Sequence, residues 1–342
     1  MPNYIPKRVF FEQEALEYPA GKYLYKHFKN LGKSEIKLLK SHNRVTEIPG
    51  KTPQECYVEG KNTLVVGVRK TLDFEKCKPS AHYQLPLVTG CIGKCEYCYL
   101  NTRLGKKPYV RIYVNIDEIL DKAEQYIKQR LPETTLFEAS ATSDPIPVEP
   151  YTGALSKTIK FFANQDKGRL RFVTKFTDVD SLLDIPHNEH TTIRFSLNTQ
   201  KIIKKYEHNT PNLIQRIKTS KKVIEAHYPI GYLIAPVITE KEWRRDYESL
   251  LQKLSEFLGD AKTKEIHFEI ISHRFTKAAK RIILDVFPKT QLPMDENKRK
   301  FKYGQFGYGK YVYSKEELDE IKNFFHTKIQ KYFPNYNIEY II

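Results

Sequence analysis

The chain has 342 residues, of which 40% are hydrophobic and 13% aromatic, and this composition is typical of a protein with a large folded core. No apolar run approaches the ~18 residues that a membrane span needs, and the N-terminal residues lack the apolar segment of a secretory signal. Five cysteines are too few, and odd in number, for a disulfide framework. We therefore expect a cytoplasmic protein with reduced thiols and no membrane partner.

The formal net charge of +16 favours a polyanionic partner, and nucleic acid is the first candidate. A lysine-rich solvated surface is the alternative. The distribution of charge helps to decide, because the segment from Arg274 to Lys310 holds ten Lys or Arg residues and only three acids. Such a local patch favours nucleic-acid binding more than an even surplus would.

In chain order, the first predicted element is a helix over residues 20–31, where Leu24, Phe28 and Leu31 share one face and Gly32 ends the pattern. Residues 34–39 alternate weakly, as an exposed strand does. Residues 63–69 are rich in β-branched side chains and predict a buried strand. We predict that residues 1–80 form an N-terminal α/β extension that packs on the core.

From residue 85 onward, predicted strands and helices alternate. The strands are predicted over 85–90, 135–140, 169–175, 191–197, 230–237 and 265–271. The helices are predicted over 116–131 (capped by Asn115), 153–164, 179–184, 211–226, 240–258 and 276–286. Six strand–helix units predict a parallel sheet with right-handed crossovers. Eight units would close a barrel, so the predicted fold class is α/β with a partial (βα)6 TIM-like barrel over residues 81–290.

The C-terminal segment, residues 291–342, departs from this alternation. Residues 301–313 are aromatic, basic and punctuated by glycine, which predicts a β-hairpin with its turn near 305–307. A helix over 315–332 and a strand over 336–342 follow. Aromatic tips with flanking lysines can stack on bases, so the hairpin predicts nucleic-acid contact. The alternative is a surface hairpin that packs its tyrosines inward.

The most informative motif is C-x3-C-x2-C, formed by Cys91, Cys95 and Cys98 directly after an apolar run. Three thiolates at this spacing can hold one face of an iron–sulfur cluster and leave its fourth iron open. The open iron can bind the amine and carboxylate of S-adenosylmethionine (SAM), as in radical SAM enzymes, which this stretch resembles. Zinc is the alternative, because Cys56 and Cys77 are further thiols.

Two tyrosines, Tyr97 and Tyr99, alternate with these cysteines. They are candidates for a radical relay or for a wall over the cluster, and the alternative is simple packing. Chemistry collects at the carboxyl ends of parallel strands. In this chain those ends carry mostly polar groups, namely 91–98, 140–144, 175, 196–198 and 272–274.

Beyond the cysteine motif, many stretches along almost the whole chain resemble the spore photoproduct lyase family of radical SAM enzymes. Among them are Ala15–Pro19, Thr63–Lys70, Lys78–Ala81, Cys98–Leu100, Lys107–Tyr109, Leu170–Phe176, His273–Lys277 and Gly309–Tyr311. The resemblance implies a lyase that removes hydrogen from a UV-induced thymine dimer in DNA and reverts the dimer to two thymines. It also implies a [4Fe–4S] cluster, SAM, an external electron donor of flavodoxin or ferredoxin type, and a monomeric protein.

The resemblance further implies roles for particular residues. Cys91, Cys95 and Cys98 would ligate the cluster, and Tyr97 and Tyr99 would return the radical toward SAM. Other residues would hold SAM or approach the DNA. The residues implied for SAM are Ser143, Asp144, Lys175 and Ser196, and those implied for DNA are Lys175, Arg274, Gln305, Phe306 and Lys310.

The chain departs from the family pattern at three places, one of which is the segment 145–150, where Pro-Ile-Pro-Val-Glu-Pro differs from the family's usual Ile-Val-Gly run. Ala141 stands where the family has the cysteine that returns a hydrogen atom, and a methyl group cannot replace a thiol in that step. Gln305 and Phe306 replace the usual Arg-Tyr of the hairpin. These changes leave open a divergent family member that acts on another nucleic-acid substrate, or an impaired Cys-to-Ala variant. Cys77 lies outside the barrel-like repeat and is not favoured as a substitute donor.

Overall fold

The computed structural model describes residues 4–40, 45–100, 104–303 and 309–342. The strands in this part of the chain are β1 (Arg8–Glu12), β2 (Glu35–Leu39), β3 (Thr63–Gly67), β4 (Lys76–Cys77), β5 (Ala81–Leu85), β6 (Val88–Thr89), β7 (Lys94–Cys95), β8 (Val110–Tyr113), β9 (Thr135–Ala139), β10 (Gly168–Thr174), β11 (Thr191–Leu197), β12 (Glu207–His208), β13 (Ile230–Val237), β14 (Ile266–Ser272), β15 (Lys300–Tyr303), β16 (Gly309–Val312) and β17 (Tyr336–Ile341). The α-helices in this part are α1 (Pro19–Leu31), α2 (Pro53–Lys61), α3 (Ile116–Gln129), α4 (Glu149–Thr152), α5 (Ala154–Ala163), α6 (Asp180–Leu183), α7 (Gln200–Tyr206), α8 (Leu213–Glu225), α9 (Trp243–Leu258), α10 (Lys277–Val286) and α11 (Lys315–Tyr332).

The chain divides into two compact units, one with residues up to Lys94 together with Arg103–Thr192, the other with Cys95–Thr102 together with Ile193–Ile342. The first unit contains a five-stranded sheet in the order β2-β1-β3-β8-β6. Its neighbours are parallel except for β6, which runs antiparallel to β8. The predicted buried strand is confirmed as β3, whose five residues are all buried, because β-branched side chains suit a strand covered on both faces.

The first unit also contains the strands β4, β5, β9 and β10. Strand β4 is antiparallel to β5, while β5, β9 and β10 are parallel neighbours. The prediction of a strand over 85–90 was wrong. Strand β5 ends at Leu85, since Pro86 has no N–H to donate to a ladder, and β6 pairs with β8 in the other sheet.

Helix boundaries in this unit follow the sequence signals closely. Helix α1 ends at Gly32, which adopts φ +63°, a left-handed conformation that favours glycine. Helix α3 begins after Asn115, as predicted, but the prediction that the Asn115 side chain caps it was wrong. The side-chain oxygen of Asn115 instead accepts from the Arg69 N–H at 2.8 Å, and its side-chain NH2 donates to the Arg69 carbonyl at 3.0 Å.

The second unit has the parallel strands β11, β13, β14 and β17. Each predicted strand–helix unit of this region is present, and β11 and β13 have the predicted boundaries. Helix α7 was not predicted, because its seven residues are too short for a clear helical period. Its N-cap, Thr199, accepts a hydrogen bond from the backbone N–H of Ile202 at 3.2 Å.

The predicted C-terminal hairpin is present as β15 and β16, which are antiparallel with Lys302 directly opposite Lys310. Its predicted turn, with Gln305 and Phe306, lies outside the described residues. Helix α11 has the predicted boundaries and starts with a capping box at Ser314 and Glu317. In the described ranges, no helix combines the length and the apolarity that crossing a bilayer requires.

Candidate active site

Cys91 lies in the first unit, and two groups hold its backbone and its sulfur. The backbone N–H of Gly93 donates to the Cys91 Sγ at 3.3 Å. The ammonium of Lys61 donates to the Cys91 carbonyl at 2.7 Å, and the Lys61 side chain is 1% exposed. The conformation around this cysteine is therefore set by contacts with residues both near and far in sequence.

The residue before Cys91 fastens this segment to the loop after β9. Gly90 adopts φ +78°, and a Cβ there would lie 2.2 Å from the carbonyl oxygen of Tyr109, so only glycine fits. Its N–H donates to the Thr142 carbonyl at 3.0 Å, and the Ser143 hydroxyl donates to the Gly90 carbonyl. These bonds place Ser143 beside the start of the cysteine motif.

Ser140 precedes Ala141 in a backbone conformation that is uncommon for a residue with a side chain. Its φ is +55°. Its N–H donates to the Leu85 carbonyl at 2.9 Å, and its hydroxyl accepts from the Val88 N–H at 3.2 Å. Backbone strain of this kind persists where surrounding contacts enforce it and is frequent at functional sites.

Asp144 joins the same loop to the end of β10. Its carboxylate accepts from the Thr174 hydroxyl at 2.8 Å and from the backbone N–H of Lys175 at 2.8 Å. Burial raises the pKa of Asp144 to about 6, and the hydrogen bonds partly oppose that shift. Asp144 therefore fixes the backbone from which the Lys175 side chain extends.

In the second unit, the backbone around Cys95 and Cys98 is tied to the residues after α7. The Cys98 N–H donates to the Cys95 carbonyl at 3.2 Å, which makes a tight turn. The Glu96 N–H donates to the Tyr206 carbonyl at 2.9 Å, and the Glu96 carboxylate lies 2.7 Å from Nε2 of His208. This turn keeps both cysteines on a short, well-anchored segment.

Tyr97 is part of a buried polar network. Its hydroxyl donates to the carboxylate of Glu207, whose other oxygen lies 2.6 Å from the Arg216 guanidinium. Burial of the hydroxyl and the charge of Glu207 raise the pKa of Tyr97 well above its ordinary value. The phenol thus stays protonated and oriented toward Glu207.

Arg216 connects this network to the end of β11. The guanidinium is fully buried and donates to the carbonyls of Ser196 and Pro211 at 2.9 Å each and to the Thr210 hydroxyl at 2.9 Å. Ser196, predicted as a SAM contact, is therefore held by the same arginine as the partner of Tyr97. Tyr99 differs from Tyr97 in being 53% exposed.

The base of the hairpin is anchored by Arg299. Its guanidinium donates to the His273 carbonyl at 2.8 Å and to the Pro293 carbonyl at 3.2 Å, and lies 3.7 Å from the Tyr313 ring centre. Burial, reinforced by the charge of Arg299, lowers the pKa of His273 to about 3, so the imidazole is neutral. The hairpin strands therefore start from a rigid base.

Three cations converge where this hairpin meets the residues after β14. Lys302 and Lys310 are cross-strand neighbours, and the backbones of Phe275 and Tyr311 exchange two hydrogen bonds beside them. Burial, together with the charges of Arg274 and Lys302, lowers the pKa of Lys310. Like charges opposite each other are unfavourable in a hairpin unless an anion is bound.

The structure thus groups the predicted residues within each unit. Gly90, Ser143, Asp144 and Lys175 are linked in the first unit, and Tyr97 is linked through Arg216 to Ser196 in the second. Arg274 and Lys310 are neighbours, whereas Gln305 and Phe306 lie outside the described residues.

Sequence reasoning missed several residues that contact the predicted ones, namely Lys61, Glu207, Arg216, Arg299 and Lys302. Arg299 and Lys302 carried a signal, because both lie in the basic segment from Arg274 to Lys310. The others are charged residues whose burial no local pattern indicates.

The cysteine motif has the donor chemistry that an iron–sulfur cluster requires. None of the five cysteines forms a disulfide, and all five lie within the described ranges. Thiolates are the usual protein ligands of such clusters. Across the part of the chain that the structure describes, no three His, Cys, Asp or Glu side chains group closely enough to hold a single ion.

Comparison with known proteins identifies the family. The spore photoproduct lyase family model matches residues 4–342. Spore photoproduct lyases of Clostridium acetobutylicum and Bacillus subtilis are 54% and 48% identical to this chain over 337 residues, each match covering 98% of both proteins. A solved spore photoproduct lyase, a double mutant with bound AdoMet and dinucleoside spore photoproduct, is 47% identical, covers 100% of both chains and has a TM-score of 0.96.

These matches define the chain as an α/β enzyme with the partial-barrel fold of radical SAM proteins, which confirms the predicted fold class. The chain belongs to the spore photoproduct lyase family.

Proposed function

We propose that this enzyme reverts the spore photoproduct, a thymine dimer formed in DNA by UV light, to two thymines. The observation that carries the proposal is the full-length match to a relative solved with both AdoMet and the dinucleoside lesion. The two curated relatives, at 54% and 48% identity, are also spore photoproduct lyases. These matches favour the spore photoproduct as the substrate over the alternative of another nucleic-acid substrate.

The cofactors we propose are a [4Fe–4S] cluster held by Cys91, Cys95 and Cys98, and SAM. When bound, they supply a 5′-deoxyadenosyl radical that can remove a hydrogen atom from carbon. We assign SAM contacts to Ser143, Asp144, Lys175 and Ser196. Asp144 and Arg216 support this assignment, since they fix the backbone at Lys175 and at Ser196.

Tyr97 and Tyr99 are the proposed relay that carries the radical back toward SAM after product formation. The hydrogen bond to Glu207 favours this role for Tyr97, because a phenol that gives up an electron must also release its proton to a nearby base. Tyr99 is 53% exposed, so its ring is accessible from solvent.

The proposed DNA contacts are Lys175, Arg274, Lys310, Gln305 and Phe306, to which the structure adds Lys302. The support for the basic members is the convergence of Arg274, Lys302 and Lys310 at the hairpin, which suits a backbone phosphate. We further propose that a flavodoxin or ferredoxin supplies the electrons and that the enzyme acts as a cytoplasmic monomer.

The proposal is tested with anaerobically reconstituted protein, dithionite, SAM and the synthetic dinucleotide spore photoproduct. We expect 5′-deoxyadenosine and thymine products to appear together in mass spectrometry. The matched control is Cys98→Ala, which removes one proposed ligand and should abolish both signals. Deoxyadenosine without any change in the dinucleotide would reject the substrate, and no SAM cleavage would reject the enzyme class.

A further inference from the structure

Lys61 is a buried cation with no described anionic partner. It is the last residue of α2 and its side chain is 1% exposed. Within the described ranges its ammonium makes one hydrogen bond, to the Cys91 carbonyl at 2.7 Å, and lies 5.3 Å from the Tyr57 ring centre. Removing a charge from water without an ion-pair partner costs several kcal/mol, so a buried lysine of this kind needs a compensating role.

The surroundings of Lys61 add positive charge rather than neutralising it. Lys94, three residues after Cys91 in the chain, is a further cation of the first unit, as are Lys7 and Arg8. The acid in this group is Glu59, and it already pairs with Arg8 at 2.5 Å and with Lys7 at 3.3 Å. The described contacts of Lys61 therefore leave its charge without an anionic partner.

We propose that Lys61 is a positioning and charge-compensating residue for the iron–sulfur cluster, fixing the Cys91 backbone and favouring the reduced cluster. This inference rests on the proposed cluster. The thiolate ligands make such a cluster anionic, and reduction by one electron from the external donor adds another negative charge. A buried ammonium stabilises that charge more than solvent-exposed lysines do, and net charge and hydrogen bonding are known to set cluster potentials.

The test compares Lys61→Met, Lys61→Gln and Lys61→Arg by redox titration of the reconstituted cluster, followed by electron paramagnetic resonance. We expect the midpoint potential of Lys61→Met and Lys61→Gln to shift to more negative values and that of Lys61→Arg to stay near wild type. Lys128→Met is the control for overall charge, because Lys128 is exposed and pairs with Glu124 at 3.1 Å. Its potential should not change.

A second readout uses the protein without its cluster. If the ammonium serves the cluster, Lys61→Met should unfold at the same temperature as wild type or higher, because methionine removes the desolvation cost of a buried charge. A lower unfolding temperature together with an unchanged potential would assign Lys61 a purely structural role and overturn the inference.

The outcomes separate this inference from the proposed function. Wild-type protein that takes up no iron and sulfide would reject the proposed cluster itself. A wild-type cluster whose potential is unchanged in Lys61→Met would reject only the role of Lys61. If Lys61→Met and Lys61→Gln cannot hold the cluster while Lys61→Arg can, the charge is required and the inference stands; loss in all three variants would overturn it.

Discussion

The hydroxyl of Tyr97 donates to the carboxylate of Glu207, although the two residues are 110 positions apart in the chain. Glu207 is itself buried and is held at 2.6 Å by Arg216. The carboxylate thus has one partner that is always charged and one that is a neutral phenol. This arrangement gives the phenol a base that can accept its proton when an electron leaves.

The first prediction concerns this pair. Glu207→Gln keeps the size of the side chain and an oxygen for Arg216, but removes the basic carboxylate. We expect more SAM to be consumed for each lesion reverted, because a relay that cannot release a proton returns the radical to SAM less often. The measurement is the ratio of 5′-deoxyadenosine to thymine product, which should rise several-fold.

Tyr97→Phe should raise the same ratio. Tyr232→Phe is the matched control, because Tyr232 is a buried tyrosine that shares a hydrogen bond of 2.8 Å with Ser220 in the same unit. An unchanged ratio in Glu207→Gln, with normal folding by circular dichroism, would show that Glu207 serves only to hold Arg216.

The second prediction concerns hydrogen return at position 141. The alanine methyl cannot donate a hydrogen atom, so in dithionite we expect part of the wild-type product to appear as sulfite adducts. Ala141→Cys should increase the share of intact thymine and reduce the adducts, because a thiol then occupies the position at which the family resemblance implies a hydrogen donor. Mass spectrometry of the products measures both species.

Cys77→Ala provides the matched comparison for this experiment. Cys77 is half-buried and lies in β4. The turn after β4 contains Ser80, whose hydroxyl donates to the Glu138 carboxylate at 2.7 Å. Glu138 precedes Ala141 by three residues. We expect its replacement to leave the product pattern unchanged. Clean thymine from wild type that is lost in Cys77→Ala would instead assign the donor thiol to Cys77.

The third prediction concerns the cations at the hairpin. Lys302→Ala and Lys310→Ala should each weaken DNA binding about equally for all sequences, because a phosphate contact carries no base information. A plot of log affinity against log salt concentration has a negative slope, and its magnitude should decrease by about 1 in each variant. Lys331→Ala is the control, since Lys331 is already paired with Glu248 at 3.0 Å. A slope equal to wild type in both hairpin variants would exclude the proposed phosphate contact.

The fourth prediction follows from Asp144, whose pKa is raised to about 6. As the pH falls, a carboxyl with a raised pKa takes up its proton at a higher pH in the folded protein than in the unfolded chain. The stabilising contribution is thus complete below the ordinary pKa of 3.8 and is lost as the pH rises through about 6. Urea unfolding of the cluster-free protein should show this contribution, roughly 3 kcal/mol, between about pH 6 and 4 in wild type but not in Asp144→Asn.

At neutral pH, Asp144→Asn should also be less stable than wild type by about 1–3 kcal/mol, because an amide cannot accept from all the donors around this site. Asp117→Asn is the control, as Asp117 is an exposed partner of Lys157. Parallel pH curves for wild type and Asp144→Asn would contradict the prediction.

Local patterns determined much of this protein. The spacing of Cys91, Cys95 and Cys98 indicated the chemistry. Runs of β-branched residues and helix caps located most elements to within a few residues, and β11 and α11 have the predicted boundaries. These signals act between residues close in sequence, so they survive without knowledge of the chain path. The strand predicted over 85–90 failed because the sequence did not show that the chain leaves one sheet at Pro86 and joins another.

Only the tertiary structure decided which distant residues support the site. Lys61 reaches Cys91 across 30 positions, Glu207 reaches Tyr97 across 110, and Arg216 in α8 holds Ser196 in β11. Charged side chains are normally solvated, so their burial cannot be inferred from residue type. It depends on the fold, which brings them to positions where backbone carbonyls and oppositely charged or polar side chains can be their partners.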